Sequence, residues 1–156
     1  MTDAHAGTRR LPVQLFAALV GAVFVVVGVA GFIPGIVTDY DRMAFAGAGS
    51  EAMLFGVFCV SILHNIVHLV FGALGLAAWR NASAARGYLV FGGGLYLLLA
   101  VYGAAIDPDS WANFLPLNRA DNWLHFGLGI GMIGLGVLGT AIERARSPAS
   151  RPQTGA

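Results

Sequence analysis

The chain has 156 residues, 57% of them hydrophobic and 11% charged, and nine arginines, with no lysine, nearly balance eight acidic residues for a formal net charge of +1. A mean hydropathy of +0.73 is too high for an ordinary soluble domain, and the near-neutral balance excludes a broad basic field for nucleic acid. The one cysteine, Cys59, excludes a disulfide framework and a thiolate metal cluster, and reads as a small buried hydrophobe.

In chain order, residues 1–10 predict a disordered tail, and residues 11–142 a membrane domain. A hydrocarbon core takes roughly 20 helical residues, and four apolar stretches are long enough: residues 11–33, 52–79, 87–106 and 122–142. The second is long for a simple crossing, which predicts a tilted start or one lying along the outer surface. Asp121 or Asn122 is the expected cap of the fourth. Residues 143–156 predict a second disordered tail. No strand signal competes, and short connections make neighbouring helices antiparallel. The fold class expected is therefore an all-α integral membrane protein, a four-helix up-down-up-down bundle.

Orientation follows from the arginines. Arg9, Arg10, Arg80, Arg86, Arg144, Arg146 and Arg151 fall at one end of the spans, which the positive-inside bias assigns to the cytoplasm together with both termini. The opposite loops carry Asp39, Asp41, Glu51, Asp107, Asp109 and Asp121 against Arg42 and Arg119. The expected location is the cell (inner) membrane. A cleaved signal peptide is disfavoured, because the apolar run after Arg10 far exceeds the usual 7–15 residues. The bilayer is the expected partner, with a membrane-protein partner or a second copy open, and no nucleic acid.

Two stretches, Asn65-Ile-Val-His68-Leu-Val-Phe-Gly72 and Asn122-Trp-Leu-His125-Phe-Gly-Leu-Gly129, repeat the pattern N-x-x-H-x-x-x-G. Positions 65 and 122, 68 and 125, and 72 and 129 share one offset; in the first and third spans Gly21 and Gly93, Phe24 and Tyr96, and Gly31 and Gly103 share another. Two equivalent hairpins running in the same direction predict parallel repeats about an axis along the membrane normal. That arrangement brings His68 and His125 together from opposite sides of the bundle.

Polar groups are expensive in hydrocarbon, so His64, Asn65, His68, Asp121, Asn122 and His125 are expected to form a buried polar cluster, bonded across the second and fourth spans. His64 and His68 share a helix face at i, i+4, a spacing that suits a metal ion, and His64 is placed to meet Asp121 or His125. His68 and His125 are also candidate ligands for a metal ion or for the axial positions of haem b. Because histidine titrates near neutral pH, a small proton-linked carrier or pH sensor is a further reading. Gly127, Gly131 and Gly134 line one face of the fourth span and, with Gly72 and Gly129, are expected at helix-packing surfaces. No nucleophile–base set, phosphate loop or carboxylate pair is evident, so a structural or accessory membrane component ranks ahead of an enzyme.

Asn65, His68 and Leu69, then Gly94 and Tyr96, then Asp121, Asn122, Leu124 and His125 carry a resemblance. Over residues 12–140 the chain resembles a bacterial, largely actinobacterial, membrane family catalogued as domain of unknown function 4383. The resemblance implies a four-helix protein of the cell membrane and supplies no activity, substrate or cofactor.

Overall fold

The computed structural model describes residues 11–146, so the expected tails, with Arg9, Arg10 and Arg151, lie largely outside the described residues. Four helices make up most of the fold: α1 (Pro12–Ala30), α2 (Ile62–Ala78), α3 (Ala82–Ala105) and α4 (Arg119–Arg146). α1, α3 and α4 are long and apolar enough to cross a membrane; α2, with 17 residues, is a shorter apolar helix. At 1.5 Å per residue α2 spans about 26 Å, somewhat less than a typical hydrocarbon core.

Helix ends follow local chemistry. Pro12 opens α1, where a missing N–H costs nothing, and the Gln14 side chain reaches back to accept from the Leu11 N–H at 2.9 Å. Ser61 Oγ accepts from His64 N–H at the start of α2. Asn81 Oδ1 accepts from the N–H groups of Ser83 and Ala84, so α3 begins five residues before the expected position 87. The fourth helix also starts earlier than expected. Asn118 Oδ1 accepts from Asp121 N–H at 2.9 Å while Asp121 Oδ2 accepts from Asn118 N–H at 3.0 Å, a reciprocal box in which Asn118 is the cap and Asp121 its third-position partner. At its far end α4 runs on to Arg146, through residues expected to begin the tail.

The largest departure from expectation lies in residues 52–61, assigned above to the second span. They form strands instead: β2 (Met53–Leu54) and β3 (Phe58–Cys59) join β1 (Val37–Thr38) in a small antiparallel sheet of order β1-β2-β3. The reason is a turn that a helix cannot contain. Phe55 and Gly56 both take positive φ (54° and 68°), and Val57 N–H closes the turn on Leu54 C=O at 3.1 Å, inside a tight hairpin whose three loop residues join Leu54 to its partner Phe58.

Packing divides the helices into pairs, α1 with α2 and α3 with α4. In each pair the start of one helix meets the end of its partner. Gln14 donates to Trp79 C=O at 2.8 Å, and Arg86 pairs with Glu143 at 2.7 Å and donates to Thr140 at 2.8 Å. Between the pairs, Val13, Ala17 and Phe24 of α1, Ala85, Leu89 and Tyr96 of α3 and Met132 of α4 share one core. The outward faces are equally apolar: Leu19, Val26, Phe91, Leu98 and Val101 are each exposed by 62% or more. A surface so rich in exposed aliphatic and aromatic groups suits lipid rather than water.

Glycines set the helix spacing. A Cβ on Gly72 would lie 2.7 Å from Gly21 C=O and from Val25 N, and one on Gly129 would lie 2.8 Å from Gly93 C=O and 2.7 Å from the Leu97 side chain. Both helix pairs therefore touch backbone to backbone. Gly127, Gly131 and Gly134, expected at a packing face, point the other way, with nothing within 4 Å of a Cβ on any of them. The inward stripe of α4 is Gly129, Met132, Gly136 and Gly139, and the outward glycines lie off that stripe.

Candidate metal centre

The three histidines of the membrane domain converge. His64 and His68 come from the first two turns of α2 and His125 from the second turn of α4, and all three are buried, at 3%, 8% and 3% exposure. The His64 and His68 rings lie 4.5 Å apart and those of His64 and His125 6.1 Å, centroid to centroid. One nitrogen from each ring can be chosen so that all three lie within 4.8 Å of one another. The Nδ1 atom of every one of the three is shielded from solvent and has no hydrogen-bond partner. Three buried imidazoles that converge while each leaves a nitrogen unpaired is an expense inside a protein, where buried polar atoms are almost always satisfied.

Aromatic side chains wall the group. Phe24 packs on His68 at 5.7 Å and Tyr96 on His125 at 5.2 Å, with Phe71 bridging Phe24 and Tyr96 at 5.0 and 5.3 Å. The His64 ring also interacts with the backbone at Cys59. That contact brings the short sheet over the end of the group. There Cys59 N–H donates to Asp121 Oδ2 at 3.0 Å, Asn118 donates to Val57 C=O at 2.8 Å, and Ser50 donates to Val60 C=O at 2.6 Å. The residues expected to lengthen α2 thus form a lid tied to the start of α4.

The six expected cluster residues divide by role. His64 meets His125, one of its two expected partners. Asn65, fully buried, donates instead to Gly31 C=O at 2.6 Å, where a Cβ on residue 31 would collide with the amide. Asn122 stands against Gly103 in the same way, its Oδ1 buried and unpaired. Asn65 therefore ties α2 to α1, and Asn122 packs against Gly103 of α3, rather than either bonding to the imidazoles. Asp121 is buried too, but it accepts from backbone N–H groups and belongs to the lid.

The His68 and His125 rings, the expected axial pair for haem, are packed against other rings. Phe24 and His64 lie against His68, and His64 and Tyr96 against His125, where a macrocycle between the two would need a flat slot. Cys59 is no ligand as placed, since its Sγ is directed at Ser50 C=O at 3.6 Å. Burial pushes its thiol pKa up, and the Asp121 carboxylate adds to the effect, so it is a poor nucleophile.

Residues 14–138 match the family described as Domain of unknown function (DUF4383). The chain belongs to that family. No curated protein and no solved structure matches it. The matched stretch runs from the Gln14 contact at the start of α1 to the last turns of α4, and so includes every histidine of the group, the lid and both glycine contacts.

Proposed function

We propose that this member of the family is a multi-pass protein of the cell membrane that holds one transition-metal ion between its two helical hairpins, through His64, His68 and His125. The observation that carries the reading is the convergence of three buried imidazoles, one nitrogen of each within 4.8 Å of the others, with a partnerless Nδ1 on every ring. A metal ion takes one nitrogen from each ring at once, and among the described residues no hydrogen bond engages any of the three Nδ1 atoms. Imidazole nitrogens suit zinc, copper, iron or nickel rather than calcium or magnesium, which take oxygen ligands.

The proposed architecture is a duplicated hairpin in an up-down-up-down bundle. Its support is the number of matched positions that do matching jobs. Gly21 with Gly72 and Gly93 with Gly129 form the two backbone contacts, and Asn65 at Gly31 and Asn122 at Gly103 the two asparagine contacts. Phe24 on His68 corresponds to Tyr96 on His125, and Ser61 to Asn118 as caps. Gln14 and Arg86, one offset apart, each reach from the start of a helix to the end of its partner. His64 then corresponds to Asp121: one copy adds a third imidazole and the other a lid carboxylate. With Arg80, Arg86, Arg144 and Arg146 at the far end from the histidines, the positive-inside bias places the centre in the outer half of the membrane, with the termini in the cytoplasm.

The test is metal loading. Full-length protein in mild detergent, incubated with zinc, copper, cobalt or nickel salts and desalted, is expected to retain one ion per chain. His64→Gln and His125→Gln, with unchanged circular dichroism, are expected to retain none. Wild-type protein that leaves the column metal-free after every salt would refute the reading.

A further inference from the structure

Resting on the metal-binding reading, we infer that the ion held by this centre is monovalent copper, bound by three nitrogens in a trigonal shell. Three features of the group lead there. The first is its charge. Among the described residues the ligand group contains three imidazoles and no carboxylate or thiolate. Asp121 is committed to the N–H groups of Cys59 and Asn118, and the Cys59 thiol is directed at the Ser50 carbonyl. The ion's whole charge is therefore carried into an apolar, membrane-embedded site. The desolvation cost rises with the square of charge, so a divalent ion costs about fourfold more than a monovalent one of similar size. No neighbouring anionic ligand offsets it.

The second feature is the number of places. Zinc in structural sites is almost always four-coordinate, and in catalytic sites it completes its shell with water. Divalent copper and nickel prefer square-planar or tetragonal sets. Here there are three donors, and the space beside them is taken by Phe24, Tyr96 and the lid at Cys59. A closed-shell monovalent copper ion accepts three ligands without a fourth. The third feature is reach. Three nitrogens bound trigonally at about 2.0 Å lie about 3.5 Å apart, so drawing the rings together by about 1 Å closes the shell from separations within 4.8 Å. Ring rotation on intact helices supplies a movement of that size, whereas adding a fourth ligand requires displacing an aromatic side chain or the lid.

Monovalent copper titrated anaerobically into the full-length protein, against a bicinchoninate competitor and a hundredfold excess of zinc, tests the inference directly. The expected result is one copper per chain retained in the presence of zinc. X-ray absorption should then report a monovalent edge, three nitrogen scatterers near 2 Å and no sulfur. Cys59→Ser should leave the spectrum unchanged, and His64→Gln should remove a scatterer or the ion. Zinc binding that displaces copper, or a copper shell with a fourth ligand or with sulfur, would overturn monovalent trigonal copper while leaving the metal-binding reading intact. Wild-type protein that holds neither ion would overturn both. Because the competition uses wild-type protein, a variant that fails to fold does not blunt it.

Discussion

Replacing Gly72 by alanine tests the helix spacing on which the centre depends. The added Cβ would lie 2.7 Å from Gly21 C=O, Val25 N and Val25 Cγ2, whereas ordinary contact begins at 3.4 Å. The two helices must therefore separate by several tenths of an ångström along a seam where both present backbone, and no flexible side chain can absorb the change. Overpacking of this kind costs about 1–3 kcal/mol, against a gain of roughly 0.5–1 kcal/mol in helix propensity. The net loss expected is about 1–2 kcal/mol, or a fall of roughly 2–8 °C in midpoint at about 2–4 °C per kcal/mol. Gly131→Ala is the internal control, because its Cβ would meet nothing within 4 Å and the propensity gain stands alone. Thermal unfolding in detergent, followed by loss of the monodisperse peak in size-exclusion chromatography, separates the two. Equal midpoints for Gly72→Ala and Gly131→Ala would refute the close-contact seam. A Gly129→Ala loss similar to that of Gly72→Ala is the corollary, since its contacts with Gly93 C=O and Leu97 are matched.

Other expectations are more local. Asn65→Ala removes the donor to Gly31 C=O in a fully buried site and should cost about 1–3 kcal/mol, read as a lower unfolding midpoint. Ser61→Ala and Asn118→Ala each remove a helix cap and should cost about 1 kcal/mol, with Asn118 the larger because it also donates to Val57 C=O. Cys59 should react with maleimide more slowly than a model thiol at pH 8. Its pKa is raised by burial, so the thiolate population and the rate should climb only at a higher pH than for free cysteine; a rate at pH 8 equal to that of free cysteine would contradict the lid geometry.

Much of the fold is legible in the sequence, because hydrocarbon makes apolar length an explicit signal. The presence of four apolar helices follows from it, three of them long enough to cross a membrane, though not where each begins. The N-x-x-H-x-x-x-G repeat brings His68 and His125 to one place, and the i, i+4 spacing adds His64. What stays hidden has local causes. Residues 52–61 are as apolar as a span, and only the positive φ at Phe55 and Gly56 turns them into strands. The Asn118 cap is obscured by the polar residues that follow it. Asn65 and Asn122 lie one helical turn before histidines and read as their partners, yet Asn65 donates to Gly31 C=O and Asn122 packs against Gly103. Gly127, Gly131 and Gly134 share one apolar face in sequence, and only the placement of α3 shows that the packed face is the neighbouring one.

Metal content of the protein extracted from its own membrane, measured by mass spectrometry against quantitative amino-acid analysis and with no metal added, probes the converging imidazoles most directly. About one copper or other transition-metal ion per wild-type chain is expected, falling to background in folded His125→Gln. Folded wild-type protein carrying no more metal than that variant would contradict the account.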